Sequence, residues 1–439
     1  MSLVKIESIK LPITKSFFTL KVLILSSKDL DGGAARSAYR QHQGLLAAGI
    51  NSQMLVQNKQ SVDNTVVAPT SKIKRGVAVI KPTVDQYPLT LYRNRDRTIN
   101  IFSSQWLPNN ITKQIEQLNP DLINLHWVCG GFVPIEALAK FKVPIVWTLH
   151  DMWAFTGGCH YSGNCDRYQQ FCGCCPQLGS NHRFDLSAWN WQRKAKAWKD
   201  LNLTIVTPSN WLAQCAKNSS LFEDLPVKVI GYGIDPQLYQ PHPTHLARKI
   251  LNLPQDKKII LFGALNSTQD LRKGFSLLVK ALQNLRQLQS NQEVELVIFG
   301  ASEPANPVDF GYKTRYLGKL NDDITLSLVY AAADVFVAPS TQDNLPNTVL
   351  EALFCGTPCV AFNIGGMSDL IEHQQTGYLA KPLIPEDLAQ GIGWVLLDEE
   401  RSQQLRVNSR LKAIAQFSLK QQTQRYLEVF EKLCSNLAV

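Results

Sequence analysis

Apolar residues in this chain fall into short runs ended by turn residues, and between the runs they recur three and four apart. The first run predicts a buried strand at 21–27; Asp31-Gly32-Gly33 then turns the chain into a helix from Ala34 to Ala48, stopped by Gly49. Further strands are predicted at 52–56, 122–126, 145–149, 203–207 and 227–230, with helices at 107–118 and 135–141. A second series has strands at 258–263, 295–299, 315–318, 335–338 and 359–362, with helices at 275–288, 324–332, 385–397, 400–415 and 419–433. Strands alternating with helices predict doubly wound parallel sheets, which bind ligands beyond the carboxyl ends of their strands. Thr207-Pro208-Ser209 is echoed by Ala338-Pro339-Ser340, so the chain divides into two similar Rossmann-like α/β domains, 21–230 and 244–415. A leader at 1–20, a Gly- and Pro-containing linker at 231–243 and a last helical segment at 416–439 complete the division.

The stretch from Val335 to Ala352 passes from strand through a polar loop to a helix start. Asp343 and Glu351 stand eight residues apart, near backbone N–H groups that favour a phosphate. Two readings are open. Thr348-x-x-Glu351 fits a capping box, with Glu351 folding back on its own helix. Alternatively, both carboxylates accept from ligand hydroxyls.

Pro339-Ser340, Asp343, Glu351-Ala352, Cys355-Gly356-Thr357-Pro358 and the strand Cys359-Val360-Ala361-Phe362 together resemble the signature of family-4 retaining glycosyltransferases, bacterial exopolysaccharide and colanic-acid enzymes among them. The resemblance runs from Lys21 to Leu433 and implies a GT-B fold, two Rossmann-like domains facing across a cleft, with the last helix crossing back to the first domain. It implies transfer of a sugar from a nucleotide-sugar donor, UDP- or GDP-linked, to a saccharide or lipid-linked saccharide hydroxyl, with no catalytic metal required. Lys273, in Lys273-Gly274, would face the pyrophosphate and Asp343 the transferred sugar. Glu351 would hold the ribose, and Asn344, Leu345, Asn347 and Thr348 would line the donor site. Gly32 and Gly33 match a phosphate or acceptor contact, and His150 matches an imidazole reaching toward sugar or acceptor. Three departures stand out. Asp343 replaces the usual Glu, Asn344-Leu345-Pro346-Asn347 replaces a Gly-rich segment, and Ala264 stands where an Arg is usual, leaving Arg272 as the nearby substitute.

Composition narrows the alternatives. With 439 residues, 45% of them hydrophobic, the chain has material for two cores. Net charge +9 favours anionic partners, a membrane surface included, while no nucleic-acid motif is present. A signal peptide and a membrane-spanning run are both missing, which places the chain in the cytoplasm, with peripheral contact at the inner membrane face as the working expectation. The tryptophan-bearing basic stretch 189–199 is either a membrane-surface helix or a solvated helix with its tryptophans turned inward. A Cys-rich insert at 157–178 puts Cys159, Cys165, Cys172 and Cys175 at spacings open to a structural Zn²⁺, reduced thiols or a disulfide. A dinucleotide-dependent oxidoreductase is disfavoured, since no Gly-x-Gly-x-x-Gly follows Leu25 or Phe262. A GT-B epimerase or phosphorylase, or a binder without catalysis, remains open.

Overall fold

The computed structural model describes residues 20–435 apart from 97–100, 264–269, 289–292, 305, 307 and 321; the leader, except Leu20, and Ala264 lie outside the described residues. The chain forms two α/β units, one of residues 1–233 with 419–439, the other of Ile234–Ser418.

The first unit runs β1 (Lys21–Lys28), α1 (Gly33–Ala47), β2 (Asn51–Asn58), β3 (Val66–Val67), α2 (Lys72–Asp85), α3 (Ile111–Leu118), β4 (Leu122–Leu125), β5 (Ile145–Thr148), α4 (Leu186–Trp198), β6 (Leu203–Thr207), α5 (Asn210–Lys217) and β7 (Val227–Val229). All pairs are parallel, in the order β3-β2-β1-β4-β5-β6-β7. In β1, alternate residues serve opposite faces. Val22 and Ile24 join one apolar cluster, Leu23 and Leu25 the other. This is why the run is continuously apolar.

The second unit contains α6 (Thr244–Ile250), β8 (Lys258–Gly263), α7 (Phe275–Leu288), β9 (Val294–Phe299), β10 (Lys313–Tyr316), α8 (Asp323–Ala332), β11 (Val335–Ala338), α9 (Asn347–Phe354), β12 (Cys359–Phe362), α10 (Met367–Leu370), β13 (Gly377–Ala380), α11 (Pro385–Leu396) and α12 (Glu399–Phe417). Its parallel order is β10-β9-β8-β11-β12-β13. The last helix, α13 (Leu419–Ser435), packs in the first unit: Tyr426, Leu427 and Phe430 share a cluster with Val22, Ile24 and Val146. Gly44 makes that approach possible, because a Cβ there would lie 2.3 Å from Thr423 Oγ1.

In both sheets the connections change direction beside the first strand, between β1 and β4 and between β8 and β11. Loops part there at the carboxyl edge and leave room for a ligand. Gly32 and His126 follow β1 and β4; Lys273 and Asp343 follow β8 and β11. Two expected helices are smaller than their apolar spacing suggests. Residues 107–110 stay outside α3, where the Asn109 side chain accepts from Ile111 N–H, and Ile135–Lys140 is a 3₁₀ helix.

Candidate functional site

In the second unit, the 3₁₀ turn Leu271–Lys273 is capped by Asp270, which accepts from Arg272 N–H at 3.0 Å and pairs with its guanidinium at 2.7 Å. Arg272 is therefore held toward its own turn. Gly274 ends the turn at φ 68°, and a Cβ there would sit 1.8 Å from the Pro339 carbonyl, so only glycine lets this turn lie on the loop after β11. Thr341 N–H closes the junction by donating to the Arg272 carbonyl at 2.8 Å. The result is an ion pair of Lys273 Nζ with Asp343 Oδ2 at 2.7 Å, both side chains largely shielded. On the other side, Gly366 N–H donates to the Asp343 carbonyl at 3.2 Å.

Asn344 and Leu345 are buried, and Asn347 and Thr348 half-buried, at the start of α9. Pro346 is the cap residue, and its side chain makes no cap bond. The capping-box reading is thereby corrected: with Pro346 at the cap, Glu351 lies a full turn into α9, too far along to reach back to the helix start. Glu351 is instead buried and accepts from the Tyr330 hydroxyl at 3.1 Å. The structure thus gathers Lys273, Asp343, Asn344, Leu345, Asn347 and Thr348 around one strand-to-helix junction, with Arg272 turned into its own cap.

In the first unit, Gly32 caps α1 at φ 99° with no atom within 4 Å of where a Cβ would stand, and Gly33 opens the helix. His150, beyond β5, has both ring nitrogens engaged: Nε2 with His126 Nδ1 at 2.9 Å and Nδ1 with the Tyr232 hydroxyl at 2.8 Å. Burial pulls His150 down to about 4 and His126 well below its ordinary value, so both rings are neutral. In the sequence, His126 is only the last residue of a predicted strand and Tyr232 falls within the predicted linker 231–243. The available signal was that His126 and His150 follow adjacent strands.

Asp151 fastens the insert. It accepts from Trp127 Nε1 at 3.0 Å and Trp153 N–H at 2.9 Å and pairs with His160 Nδ1 at 2.7 Å; His160 Nε2 meets Ser103 Oγ at 2.9 Å. Burial alone would raise this carboxyl, but His160 and the N–H donors outweigh it and hold it low. In α4, Lys194 is buried over the Trp153 ring and donates to the Thr156 carbonyl at 2.9 Å, while Arg193 bonds both carboxylate oxygens of Glu136. Of the tryptophans in 189–199, Trp198 is turned inward and donates to the Ile135 carbonyl at 2.8 Å, while Trp189 is 45% exposed, so the inward-packed alternative holds for Trp198 and not for Trp189.

Cys159, Cys165, Cys172 and Cys175 line one cavity of about 20 Å³, and Gly157 N–H donates to Cys172 Sγ at 3.1 Å. All ten cysteines are free thiols, which removes the disulfide alternative. Burial pushes Cys172 up to about 12 and Cys175 to about 11. Thiolate donors suit Zn²⁺, yet among the described residues no three His, Cys, Asp or Glu side chains are gathered so as to hold an ion.

The family model for Glycosyltransferase Family 4 matches residues 31–238, and that for Glycosyl transferases group 1 matches 244–412. An uncharacterized glycosyltransferase of Haemophilus influenzae is 29% identical over 72% of this chain and 81% of its own length. Another, of Methanocaldococcus jannaschii, is 30% identical over 39% of this chain, which spans 45% of that relative. The structure of Anabaena HepE in complex with UDP and glucose superposes with TM-score 0.62 at 17% identity, covering 94% of this chain and all of that one. Family-4 and group-1 models thus divide the chain at the same place as its two parallel sheets, and the protein is a GT-B glycosyltransferase of the group 1/family 4 type.

Proposed function

We propose that this protein transfers a sugar, with retention at the anomeric carbon, from a nucleotide-sugar donor to a hydroxyl of a saccharide or lipid-linked saccharide. The observation that carries the reading is the Lys273–Asp343 pair, 2.7 Å apart, beside the start of α9. A leaving nucleoside diphosphate gathers negative charge as the glycosidic bond breaks. In this reading the Lys273 ammonium neutralises it, and the N–H groups that begin α9 supply the second positive field. Asp343 holds the ammonium in place and accepts from a sugar hydroxyl, and Glu351 takes the ribose hydroxyls. A front-face departure needs no side-chain base, since the leaving phosphate accepts the acceptor's proton.

HepE of Anabaena was solved with UDP and glucose, which makes a UDP-sugar the first donor to test. Assembly of an exopolysaccharide or glycolipid at the inner membrane face is the biological setting that fits the net charge of +9. His150, tied to His126 and Tyr232, would act as a neutral hydrogen-bonding wall of the acceptor side. Structural zinc is the part of the reading that the geometry supports least, and finding about one zinc per chain in protein purified without chelator would restore it.

The test is thermal-shift titration with UDP-, GDP- and ADP-sugars, followed by a hydrolysis assay on any ligand that raises the melting temperature. A selective shift with slow release of free sugar is expected. Binding without transfer or hydrolysis would identify a sugar-nucleotide binder instead, and a rearranged sugar among the products would identify an epimerase.

A further inference from the structure

Helix α2 is inverted relative to an ordinary surface helix. Its apolar residues Ile73, Val77, Ile80 and Val84 recur at intervals of four, three and four, the stripe that normally faces a core. Here the stripe faces solvent: Ile73 is 81% exposed, Ile80 59% and Val77 49%. The buried side of the helix is formed by Ala78 and Asp85. The 3₁₀ turn that follows, Tyr87–Leu91, extends the patch, with Tyr87 67% and Leu91 81% exposed.

The rim of this patch has one sign of charge. Between Ser71 and Arg95 stand Lys72, Lys74, Arg75, Lys81, Arg93 and Arg95, and the single acid in that stretch, Asp85, is buried. The C-terminal end of the helix is firmly seated. Ser104 Oγ donates to the Asp85 carbonyl at 2.6 Å and Trp106 Nε1 to the Val84 carbonyl at 3.3 Å, so the exposed stripe is a feature of a packed element.

We propose that α2 and the turn after it dock this protein on the surface of an anionic membrane. An apolar stripe bordered by lysine and arginine is the arrangement that inserts shallowly at the lipid headgroup boundary, with its cations on anionic headgroups. At 14 residues α2 is about 21 Å long, short of the ~30 Å hydrocarbon core, so it lies on a bilayer rather than crossing it. A second copy of this chain is the poorer occupant, because it would bring the same cations against this rim on a protein already at +9. The packing also places the patch at a useful edge. Pro82 lies against Gly130, in the loop after β4, and Gln57 at the end of β2 donates to the Gly130 carbonyl at 3.1 Å. The docked face therefore neighbours the carboxyl edge of the first sheet, the edge that carries His126 and His150.

Sedimentation of the full chain with vesicles of phosphatidylcholine alone, and of phosphatidylcholine mixed with phosphatidylglycerol, tests the idea without any sugar donor. Its outcome is therefore separate from that of the transfer reading. Binding to the mixed vesicles only is expected, weakening with added salt. Lys72→Ala, Lys74→Ala and Arg75→Ala should each lower the partition coefficient about fivefold. The pair Ile73→Asp with Ile80→Asp should abolish binding while leaving the melting temperature nearly unchanged, because both side chains are mostly exposed. Equal binding of parent and variants, or no binding to anionic vesicles, would overturn the proposal. So would an Ile80→Asp variant whose main effect is to split a dimer in size-exclusion chromatography.

Discussion

A Pro-Ser junction follows a strand in each unit, and the two are finished differently. After β6, Pro208-Ser209 leads straight into α5, and the Ser209 hydroxyl accepts from Leu212 N–H at 3.1 Å. After β11, Pro339-Ser340 is followed by a further polar loop before α9, whose cap residue, Pro346, makes no side-chain cap bond. The first junction satisfies its helix start from within the chain. In the second, the loop between strand and helix holds Asp343 against Lys273 and brings Asn344 and Leu345 to the mouth of the helix. A helix start offers its N–H groups and its dipole to an anion, and a cap residue that accepts from those groups competes with one. On the proposed reading the second unit has the donor junction and the first a structural copy of it.

Lys273→Ala gives the largest effect that this contrast implies. Removing the ammonium leaves Asp343 without its 2.7 Å partner and the departing diphosphate without its cation. Transfer at subsaturating donor should fall about a hundredfold or more, the scale seen when one preorganised charge-stabilising donor is lost. Unchanged steady-state rates would refute the assignment of the second junction as the donor site.

Acid should separate the units next. Burial holds His42 and His150 at about 4, so an unfolded chain, with histidines near 6.5, binds more protons between these values. Stability from these groups is complete above about pH 6.5 and is lost as pH falls toward 4. At pH 5 the loss is about 2 kcal/mol for each histidine. Asp85 has the opposite sign: burial raises it to about 6, so its proton stabilises the folded unit as pH falls, returning about 1 kcal/mol at pH 5. All three groups are in the first unit. His126, also held low by burial, and Lys194, pulled down by burial to about 7, add to this loss, so denaturant unfolding monitored at pH 7.5 and pH 5 should show the first unit losing about 3 kcal/mol or more. Coincident loss in both units would contradict the separation.

The central strands were legible because β1, β8 and β11 are buried on both faces and spell continuous apolar runs. Lys273 and Asp343 were legible as motif positions, and only the fold revealed the ion pair across 70 residues. Helix α2 was not legible. Its apolar stripe is interrupted by Gly76 and Pro82, and periodicity states which residues share a face without stating whether that face meets a core or water. The capping box misled for a local reason: Pro346 sets φ for the helix start, so α9 begins after it and Thr348 lies inside the helix rather than at its cap. His126 was missed because its partner His150 is 24 residues away on the neighbouring strand.

Two cap substitutions probe the junctions directly. Pro346→Ser would give α9 the kind of cap that α5 has. A serine cap adds about 1 kcal/mol to helix stability, and its hydroxyl competes for the N–H groups assigned to the donor. Donor affinity should fall about fivefold as thermal stability rises. A rise in stability with affinity unchanged would mean that the donor does not use the start of α9.

Ser209→Ala is the smaller counterpart and serves as the control for it. Losing the bond to Leu212 N–H should cost about 1 kcal/mol, read as a lower denaturation midpoint with an unchanged slope. Because this cap belongs to the junction that is already closed, donor affinity and transfer rate should not move. If Ser209→Ala instead weakened donor binding as strongly as Pro346→Ser, the two junctions would be functionally alike and the contrast between a closed and an open helix start would fail. If stability alone fell, the same Pro-Ser sequence would be acting as a cap in one sheet and as the entrance to a ligand loop in the other.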